Sequence, residues 1–269
     1  MKHRLFIVLV AFSAIACSCG SATQKRSNSD KKGGEITHYT FRIVAELPHS
    51  TSDYTQGFLY ADGLFWEGTG GYGESQIKRY NPANGEPLKS AKLSRNYFGE
   101  GITLFGDKLY QLTWRKGKAF VYDKESFKLL REYTYEGEGW GLTTDGTNLY
   151  MSDGTDRITL RNPANFEPIG SFSVTIGGRK ATNLNELEWI GGELWANVYL
   201  SDTILRIDPK TGKVVGIIDL TGLQSPNDIN LYNTDVLNGI AHDPTTGRIW
   251  LTGKNWNKIY QVEILPKGN

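Results

Sequence analysis

The chain of 269 residues has a formal net charge of +1 and no block of like charge, which argues against nucleic acid as its main partner because phosphate binding needs a basic face. Hydrophobic residues make up 39% and aromatic residues 12%, so the chain can bury a large core and is not a disordered polymer. With 31 glycines and 9 prolines, the composition is typical of many short strands joined by tight turns.

Residues 1–19 predict a lipoprotein-type signal peptide. A short basic segment precedes an apolar run of twelve residues, Leu5 to Ala16, which is too short to cross a bilayer as a helix. The two cysteines follow directly, each after a small residue, so either Cys17 or Cys19 is a candidate for lipid attachment. An ordinary cleaved signal with incidental cysteines is the alternative. We expect an exported protein of the bacterial cell envelope or periplasm, held to the membrane only through a lipid anchor.

Residues 20–35 are polar, without apolar periodicity, and predict a flexible tether. Residues 36–269 form the predicted folded domain. Because both cysteines precede this domain, it would contain no thiol, which excludes disulfides, a catalytic cysteine and thiolate metal ligands.

Five segments of the domain share one plan, in which a small polar loop leads into an apolar strand, a tight turn and a second strand. The equivalent apolar residues of the second strands are separated by 45, 40, 45 and 55 residues, close to the size of a four-stranded propeller blade. These equivalent residues are Leu64, Leu109, Leu149, Leu194 and Ile249.

A third strand follows in each unit, and a fourth follows in the first four units, whereas the fifth unit stops after its third strand. The strand-like segment Tyr39–Pro48 precedes the first unit and can supply the missing outer strand, which would leave no unpaired edge. The prediction is an all-β, five-bladed β-propeller whose last blade is closed by the N-terminal strand. A many-stranded β-sandwich is the competing fold, but it does not require five copies of one pattern.

Alignment of the five units places chemically different residues at equivalent positions near the start of each first strand, where a propeller has the mouth of its central channel. These residues form a first ring, which consists of Gln56, Glu100, Trp140, Asn185 and Asn238. A second ring follows the second strands and consists of Thr69, Trp114, Gly154, Tyr199 and Lys254. Together the rings predict a small polar pocket with aromatic walls.

Each of these residues also has a plain structural interpretation. The amides can bond backbone or water, the aromatic residues can belong to the core between blades, and Lys254 can be a solvated surface lysine. Glu100 lies between two glycines in FGEGIT, an unfavourable place for a charge unless it has a function.

Other chemistries have weaker support. His38, His49 and His242 are scattered, so a metal held by histidines is not expected. The glycine-rich GGYGESQ string is not followed by a helix and does not predict a phosphate loop, and no Gly-x-Ser-x-Gly motif is present.

The sequence resembles the glutaminyl cyclotransferases shared by plants and bacteria, over residues 54 to 256. The strings that carry the resemblance include YTQGFLY, FGEGITLFGDKLYQLTW, EGWGLTTDG, LNELEWIGGELWANVY, VLNGIAHD and LTGKNW. The resemblance implies a five-bladed propeller that converts an N-terminal glutamine into pyroglutamate and releases ammonia, without a catalytic zinc or other cofactor.

The resemblance also places the family's essential glutamate at Glu100. The implied pocket residues are Gln56, Phe98, Trp114, Trp140, Asn185 and Lys254. The chain departs from the family pattern at Tyr54, where phenylalanine is frequent, at Tyr199, where tryptophan is frequent, and at Gly68, where serine is usual.

From these residues we expect Glu100 to act as general acid and base, with Lys254 or an indole N–H stabilising the developing oxyanion. Substrate-binding roles are expected for Gln56, Phe98, Trp114, Trp140, Asn185, Tyr199, Tyr54 and Asn238. The expected partners are N-terminal glutaminyl peptides or proteins, and the expected state is a monomer. The alternative function is a non-catalytic propeller that binds peptides or sugars. A propeller lyase or lactonase is disfavoured, because such enzymes generally need a metal held by histidines or carboxylates and the two rings contain one carboxylate.

Overall fold

The computed structural model describes residues 35–268, so the predicted signal peptide, Cys17, Cys19 and all of the predicted tether except Glu35 lie outside the described residues. The described part of the chain is built from β-strands, with a short 3-10 helix at Pro226–Asp228. Within it, no helix is long and apolar enough to cross a membrane.

After the first strand, β1, the chain forms three separate antiparallel sheets of four strands each, in sequence order. The bounds are β1 (Thr37–Pro48); β2 (Thr55–Ala61), β3 (Leu64–Thr69), β4 (Gln76–Tyr80) and β5 (Pro87–Lys92); β6 (Gly99–Phe105), β7 (Lys108–Thr113), β8 (Lys118–Asp123) and β9 (Leu129–Thr134); β10 (Leu142–Thr144), β11 (Leu149–Ser152), β12 (Arg157–Arg161) and β13 (Pro168–Ser173).

The remaining strands form two further four-stranded groups, which β1 joins edge to edge. Their bounds are β14 (Thr175–Ile176), β15 (Arg179–Lys180), β16 (Leu184–Ile190), β17 (Glu193–Val198), β18 (Thr203–Asp208), β19 (Lys213–Asp219), β20 (Leu237–His242), β21 (Ile249–Gly253) and β22 (Lys258–Pro266). The fourth group is β16–β19, with the β14–β15 hairpin at its edge, and the fifth is β20–β22 completed by β1.

The N-terminal strand lies where the sequence predicts it. β1 pairs antiparallel with β22 from Tyr39 to Pro48, so it is the outer strand of the fifth group. The sequence did not indicate that Thr37–Tyr39 also pairs in parallel with β19 of the fourth group. β1 therefore covers the edges of two strands, which would otherwise offer unpaired backbone groups to other chains.

The first strands of the five groups contact one another in a closed cycle, β2–β6–β10–β16–β20–β2. Glycine makes this approach possible. A Cβ on Gly57 would lie 2.4 Å from the Ile102 nitrogen, and a Cβ on Gly141 would lie 2.1 Å from the Asn185 carbonyl oxygen. Any larger residue would push these strands apart, as expected where backbones approach closely.

The equivalent position on β16 holds Glu186 instead of glycine. Its carboxylate turns across the axis and accepts hydrogen bonds from the backbone N–H of Phe58 (3.3 Å) and of Ile240 (3.0 Å). A glutamate therefore fills the space left by the neighbouring glycines and connects β16 with β2 and β20.

Five clusters of buried apolar side chains hold the groups together, one between each neighbouring pair. In one of them Phe65 of the first group packs against Trp250 of the fifth, with ring centroids 5.3 Å apart. Each fully buried large apolar side chain contributes roughly 1.5–3 kcal/mol. Most of the side chains that stabilise the fold therefore lie between the groups, and the axis is left to polar residues.

Candidate active site

The predicted site residues lie at one end of the molecule because of the antiparallel pairing within each group. The start of each first strand is opposite the end of the second strand, as at the Gly99–Thr113 and Leu237–Gly253 pairs. Glu100 on β6 and Trp114 just after β7 are therefore neighbours. The same geometry brings Lys254, just after β21, to this end.

Irregular pairing directs the first-ring side chains out of the strand ladder. In four of the five groups the register shifts at this position, between Thr55 and Gly57, Gly99 and Ile102, Leu184 and Leu187, and Leu237 and Ile240. β-Bulges reorient side chains in this way and are frequent beside functional sites. The residues inside these shifts include Gln56, Glu100, Asn185 and Asn238.

A cavity of about 190 Å³ opens at this end of the molecule. Nine of the ten residues predicted for catalysis or substrate binding line it: Tyr54, Gln56, Phe98, Glu100, Trp114, Trp140, Asn185, Tyr199 and Lys254. The sequence thus predicted which residues converge, and the structure adds how they are arranged.

Glu100 is the buried carboxyl group of this cavity, with a relative exposure of 4%. Within residues 35–268 its carboxyl oxygens receive no hydrogen bond from a protein donor, and they face the cavity. Burial raises the pKa of Glu100 well above its ordinary value; the positive charge of Lys254 opposes this shift, and the negative charge of Glu138 adds to it. Such a group exchanges protons nearer to neutral pH than an ordinary glutamate does.

Lys254 is buried between two tyrosine rings. Its ammonium nitrogen lies 4.8 Å from the ring centroid of Tyr54 and 4.9 Å from that of Tyr199, a cation–π arrangement on both sides. Burial lowers the pKa of Lys254, and the negative charges of Glu100 and Asp235 oppose that shift. The ammonium has no hydrogen-bonded acceptor in the described part of the chain, so its N–H groups are free for a ligand.

The amides of the first ring have different roles. Asn238 is fully buried and lies behind Gln56, where its Nδ2 donates to the Thr55 carbonyl (3.0 Å) and to Gln56 Oε1 (3.2 Å). Asn238 is the one residue predicted for catalysis or substrate binding that does not line the cavity, and its contact with substrate stays a prediction. Asn185 does line the cavity, and its Oδ1 is a buried acceptor without a partner in the described residues.

Aromatic rings form the walls of the cavity. Phe98 makes edge contacts with Tyr54 and Trp114, at centroid distances of 6.1 and 5.6 Å. On the opposite side Trp140 meets Tyr199 edge to face at 5.6 Å. Tyr54 is fixed by its hydroxyl, which donates to Asp235 Oδ2 at 2.9 Å. A tyrosine at position 54 is thus held by a bond that phenylalanine could not make.

Two acidic residues at the rim were missed by the sequence analysis. Besides Asp235, Glu138 accepts hydrogen bonds from the indole N–H groups of both Trp114 and Trp140. Asp235 lies three residues before Asn238, outside the aligned positions, so the repeat could not indicate it. Glu138 stands two residues before Trp140, as Tyr54 stands before Gln56 and Phe98 before Glu100, so the alignment of the units could have indicated it. The available signal was the position of Glu138 two residues before Trp140 in EGEGW.

A second buried polar cluster lies among the strands of the first group. Ligand atoms of His49, Asp53 and Glu67 lie within 4.8 Å of one another, which is close enough to hold a metal ion. The ammonium of Lys78 is already bonded to Asp53 and lies 3.2 Å from Glu67. The donor set therefore does not fit a metal ion, because a lysine ammonium supplies the positive charge there.

Comparisons with known proteins point to one family. The family model described as glutamine cyclotransferase matches residues 11–264. The glutaminyl-peptide cyclotransferase of Arabidopsis thaliana is 40% identical over 226 residues, which cover 82% of this chain and 70% of the relative. The crystal structure of Myxococcus xanthus glutaminyl cyclase superposes with a TM-score of 0.82 at 34% identity, covering 87% of this chain and 100% of that one. The chain therefore belongs to the glutamine cyclotransferase family.

Proposed function

We propose that this chain is a glutaminyl-peptide cyclotransferase, which converts the N-terminal glutamine of peptides into pyroglutamate and releases ammonia. The observation that carries the proposal is a buried, unpaired carboxyl group, Glu100, in a small aromatic cavity of a chain from this family. The names of the Arabidopsis and Myxococcus relatives support the same activity.

In this reaction the substrate's α-amine attacks the carbon of its own γ-carboxamide. A C–N bond forms, the bond to the amide nitrogen breaks, and one proton passes from the attacking nitrogen to the leaving nitrogen, which departs as ammonia. Glu100 takes the proton from the amine and returns it to the leaving group. Its raised pKa suits both steps, because the same group must be a base and then an acid.

The remaining polar groups hold the substrate in a folded shape. The unpaired Oδ1 of Asn185 accepts an N–H of the substrate, and Gln56, steadied by Asn238, presents its amide to the cavity. Both indole N–H groups are bonded to Glu138, and Lys254 is the charged donor of the cavity, so we assign it the developing oxyanion. The aromatic walls exclude water, so that cyclisation prevails over hydrolysis.

We assign the fold to the five-bladed β-propeller class, with β1 closing the last blade. The closed cycle of first-strand contacts and the five clusters between neighbouring groups support this assignment. We also propose that the enzyme is an acyltransferase of the aminoacyltransferase class and works without a metal ion, because Glu100 and Lys254 supply the proton transfer and charge stabilisation that a metal would otherwise provide.

The proposal is tested by measuring ammonia and pyroglutamate released from a dipeptide that begins with glutamine, with and without a chelator. The wild type should form both products in equal amounts, and EDTA should leave the rate unchanged. Glu100→Gln should reduce kcat by roughly 10²–10⁴-fold with little change in KM, because the pocket keeps its shape but loses its proton carrier. Glu86→Gln, at an exposed turn, is the matched control.

An unaltered rate for Glu100→Gln would contradict the assignment of the base. A folded wild type that releases no ammonia would contradict the enzyme itself, and would favour a non-catalytic propeller that binds peptides or sugars at the same cavity.

We further propose that the protein is a monomer, exported and lipid-anchored through Cys17 or Cys19 in the cell envelope. The apolar run before the two cysteines supports the anchor. A Cys17→Ser, Cys19→Ser double variant should move to the soluble fraction, whereas continued membrane association would contradict the anchor. Light scattering of the soluble domain should give the mass of one chain.

A further inference from the structure

Glu138 joins the two tryptophan walls through one oxygen atom. Its Oε2 lies 2.7 Å from Nε1 of Trp114 and 2.9 Å from Nε1 of Trp140. Trp114 follows β7 of the second group, whereas Trp140 precedes β10 of the third. The shared oxygen therefore connects walls that come from two different sheets.

The other oxygen of this carboxylate is also occupied. Glu138 Oε1 accepts a hydrogen bond from Nε of Arg115 at 3.0 Å, and the same guanidinium lies 3.8 Å from the ring centroid of Trp114. Partial burial acts to raise the pKa of Glu138, but the hydrogen bonds from Trp140, Trp114 and Arg115 outweigh it and hold that pKa below its ordinary value. Glu138 is therefore an anion at neutral pH, and hydrogen bonds to an anion are stronger than those between neutral groups.

We propose that Glu138 is a positioning residue of the cyclotransferase, which fixes both indole rings as substrate walls and keeps their N–H groups away from the substrate. The inference rests on the proposed function in that the walls are those of the glutamine pocket. With both indoles directed outward to Glu138, the substrate amide has no indole donor to bind in a non-productive pose, and it must bond to Lys254 and the amide residues instead.

The negative charge of Glu138 has a second effect, since it acts to raise the pKa of Glu100. Loss of this charge lowers that pKa, so Glu100 stays ionised to a lower pH. The acid limb of kcat/KM, which reports the essential base of the free enzyme, should then move to lower pH. A residue that merely supports the fold would not move this limb.

The test compares Glu138→Gln, Glu138→Ala and the control Glu136→Gln, which makes the same change of charge at an exposed position. Each of the seven tryptophans gives one indole N–H signal in a ¹H–¹⁵N spectrum. The signals of Trp114 and Trp140 are assigned by their loss in Trp114→Phe and Trp140→Phe. These two signals should lie downfield in the wild type, stay near their positions in Glu138→Gln, and move upfield together in Glu138→Ala.

The kinetic expectations differ between the two variants. Glu138→Ala should raise KM about tenfold, with a smaller fall in kcat, because it frees two indole rings and their donors. Glu138→Gln keeps an acceptor oxygen, so its KM should lie close to that of the wild type. Both variants should move the acid limb to lower pH, whereas Glu136→Gln should not.

Indole signals of Glu138→Ala at their wild-type positions, or a pH profile and KM equal to those of Glu136→Gln, would overturn the proposal. If Glu138→Ala does not fold, the indole signals of the wild type decide, and positions of the Trp114 and Trp140 signals within the range of the other five would overturn the proposal. A wild type without cyclotransferase activity would contradict the proposed function. In that case the indole signals would still decide whether Glu138 positions both rings.

Discussion

Lys254 and Glu138 act on Glu100 with opposite charges, which gives the pocket a measurable electrostatic signature. Lys254 lowers the pKa of Glu100, whereas Glu138 raises it. Variants that remove one charge or the other should therefore displace the pH profile of the enzyme in opposite directions.

We expect Lys254→Met to reduce kcat by about 10²-fold, since it removes the proposed donor to the oxyanion while most of the side-chain length is kept. The pKa of Glu100 should rise further without the neighbouring ammonium, so the acid limb of kcat/KM should move to higher pH. Steady-state rates from pH 5 to 9 measure both effects. Lys116→Met, which removes an exposed lysine two residues after Trp114, is the control. An acid limb that stays in place would show that the ammonium does not act on Glu100.

The residues that sequence predicted best are those at repeated positions. Glu100 and Asn185 fall at the same position of the second and fourth units, and their convergence follows from strand order alone. Asn238 satisfies the same rule but turns behind Gln56, because side-chain direction inside a β-bulge is not contained in the repeat. Glu138 stands at the repeat position of Tyr54 and Phe98, but its role follows from two indole rings that donate to one of its oxygens, which the repeat does not show.

At the scale of elements, β1 is the strand whose removal we expect to disturb the fold most. It covers the edge of β22 over Tyr39–Pro48 and touches the edge of β19 through its first residues. Removal of this strand would expose both edges, and exposed edges recruit other chains.

A truncation that starts at Glu35 should match the thermal midpoint of the whole soluble chain, because it keeps every strand that the structure describes, from Thr37 onward. A truncation that starts at His49 should unfold at a lower temperature and form soluble aggregates. Differential scanning calorimetry and light scattering distinguish the two. Equal midpoints for both truncations would show that β1 does not hold the last group closed.

Other elements were harder to predict. Alternating apolar residues and tight turns indicate the strands of each unit. The same pattern recurs in five units, so each occurrence supports the others. The β14–β15 hairpin contains two residues per strand, too few for any periodicity, and the pairing of Thr175 with Lys213 joins segments far apart in the chain. The bulges at the site leave no pattern in the sequence except a glycine, which follows three of the four first-ring residues in the shifted strands.

At the scale of the whole molecule, the proposed reaction does not use two carboxyl groups of β16, the buried Glu186 and the half-buried Glu188. Burial raises the pKa of Glu186 well above its ordinary value, the charge of Glu188 adds to this, and the hydrogen bonds from Phe58 and Ile240 oppose it. Burial likewise raises the pKa of Glu188 to about 8, although a hydrogen bond from Thr143 opposes the shift. A pKa of about 8 means that Glu188 should hold a proton in the folded protein at pH 7, and the shift of Glu186 has the same direction.

This protonation should make the protein less stable as the pH rises. In the unfolded chain a glutamate loses its proton near pH 4.5, whereas the folded protein keeps the proton on Glu188 up to about pH 8. Between these values the folded state binds more protons, so the free energy of unfolding should fall by up to about 1.4 kcal/mol per pH unit for each such group. His49 acts in the same direction, because its raised pKa gives stability at low pH that is lost as it deprotonates.

We therefore expect the thermal midpoint of the wild type to fall steadily from pH 5 to pH 8. Glu188→Gln carries no ionisable proton and should show a shallower fall, although not a flat one, because Glu186 and His49 still titrate. Glu167→Gln, which alters an exposed glutamate, should keep the wild-type slope. Thermal unfolding followed by circular dichroism at intervals of half a pH unit measures all three slopes. A wild-type midpoint that rises over this range, or equal slopes for Glu188→Gln and the wild type, would mean that Glu188 is ionised in the folded protein and that the axis tolerates its charge.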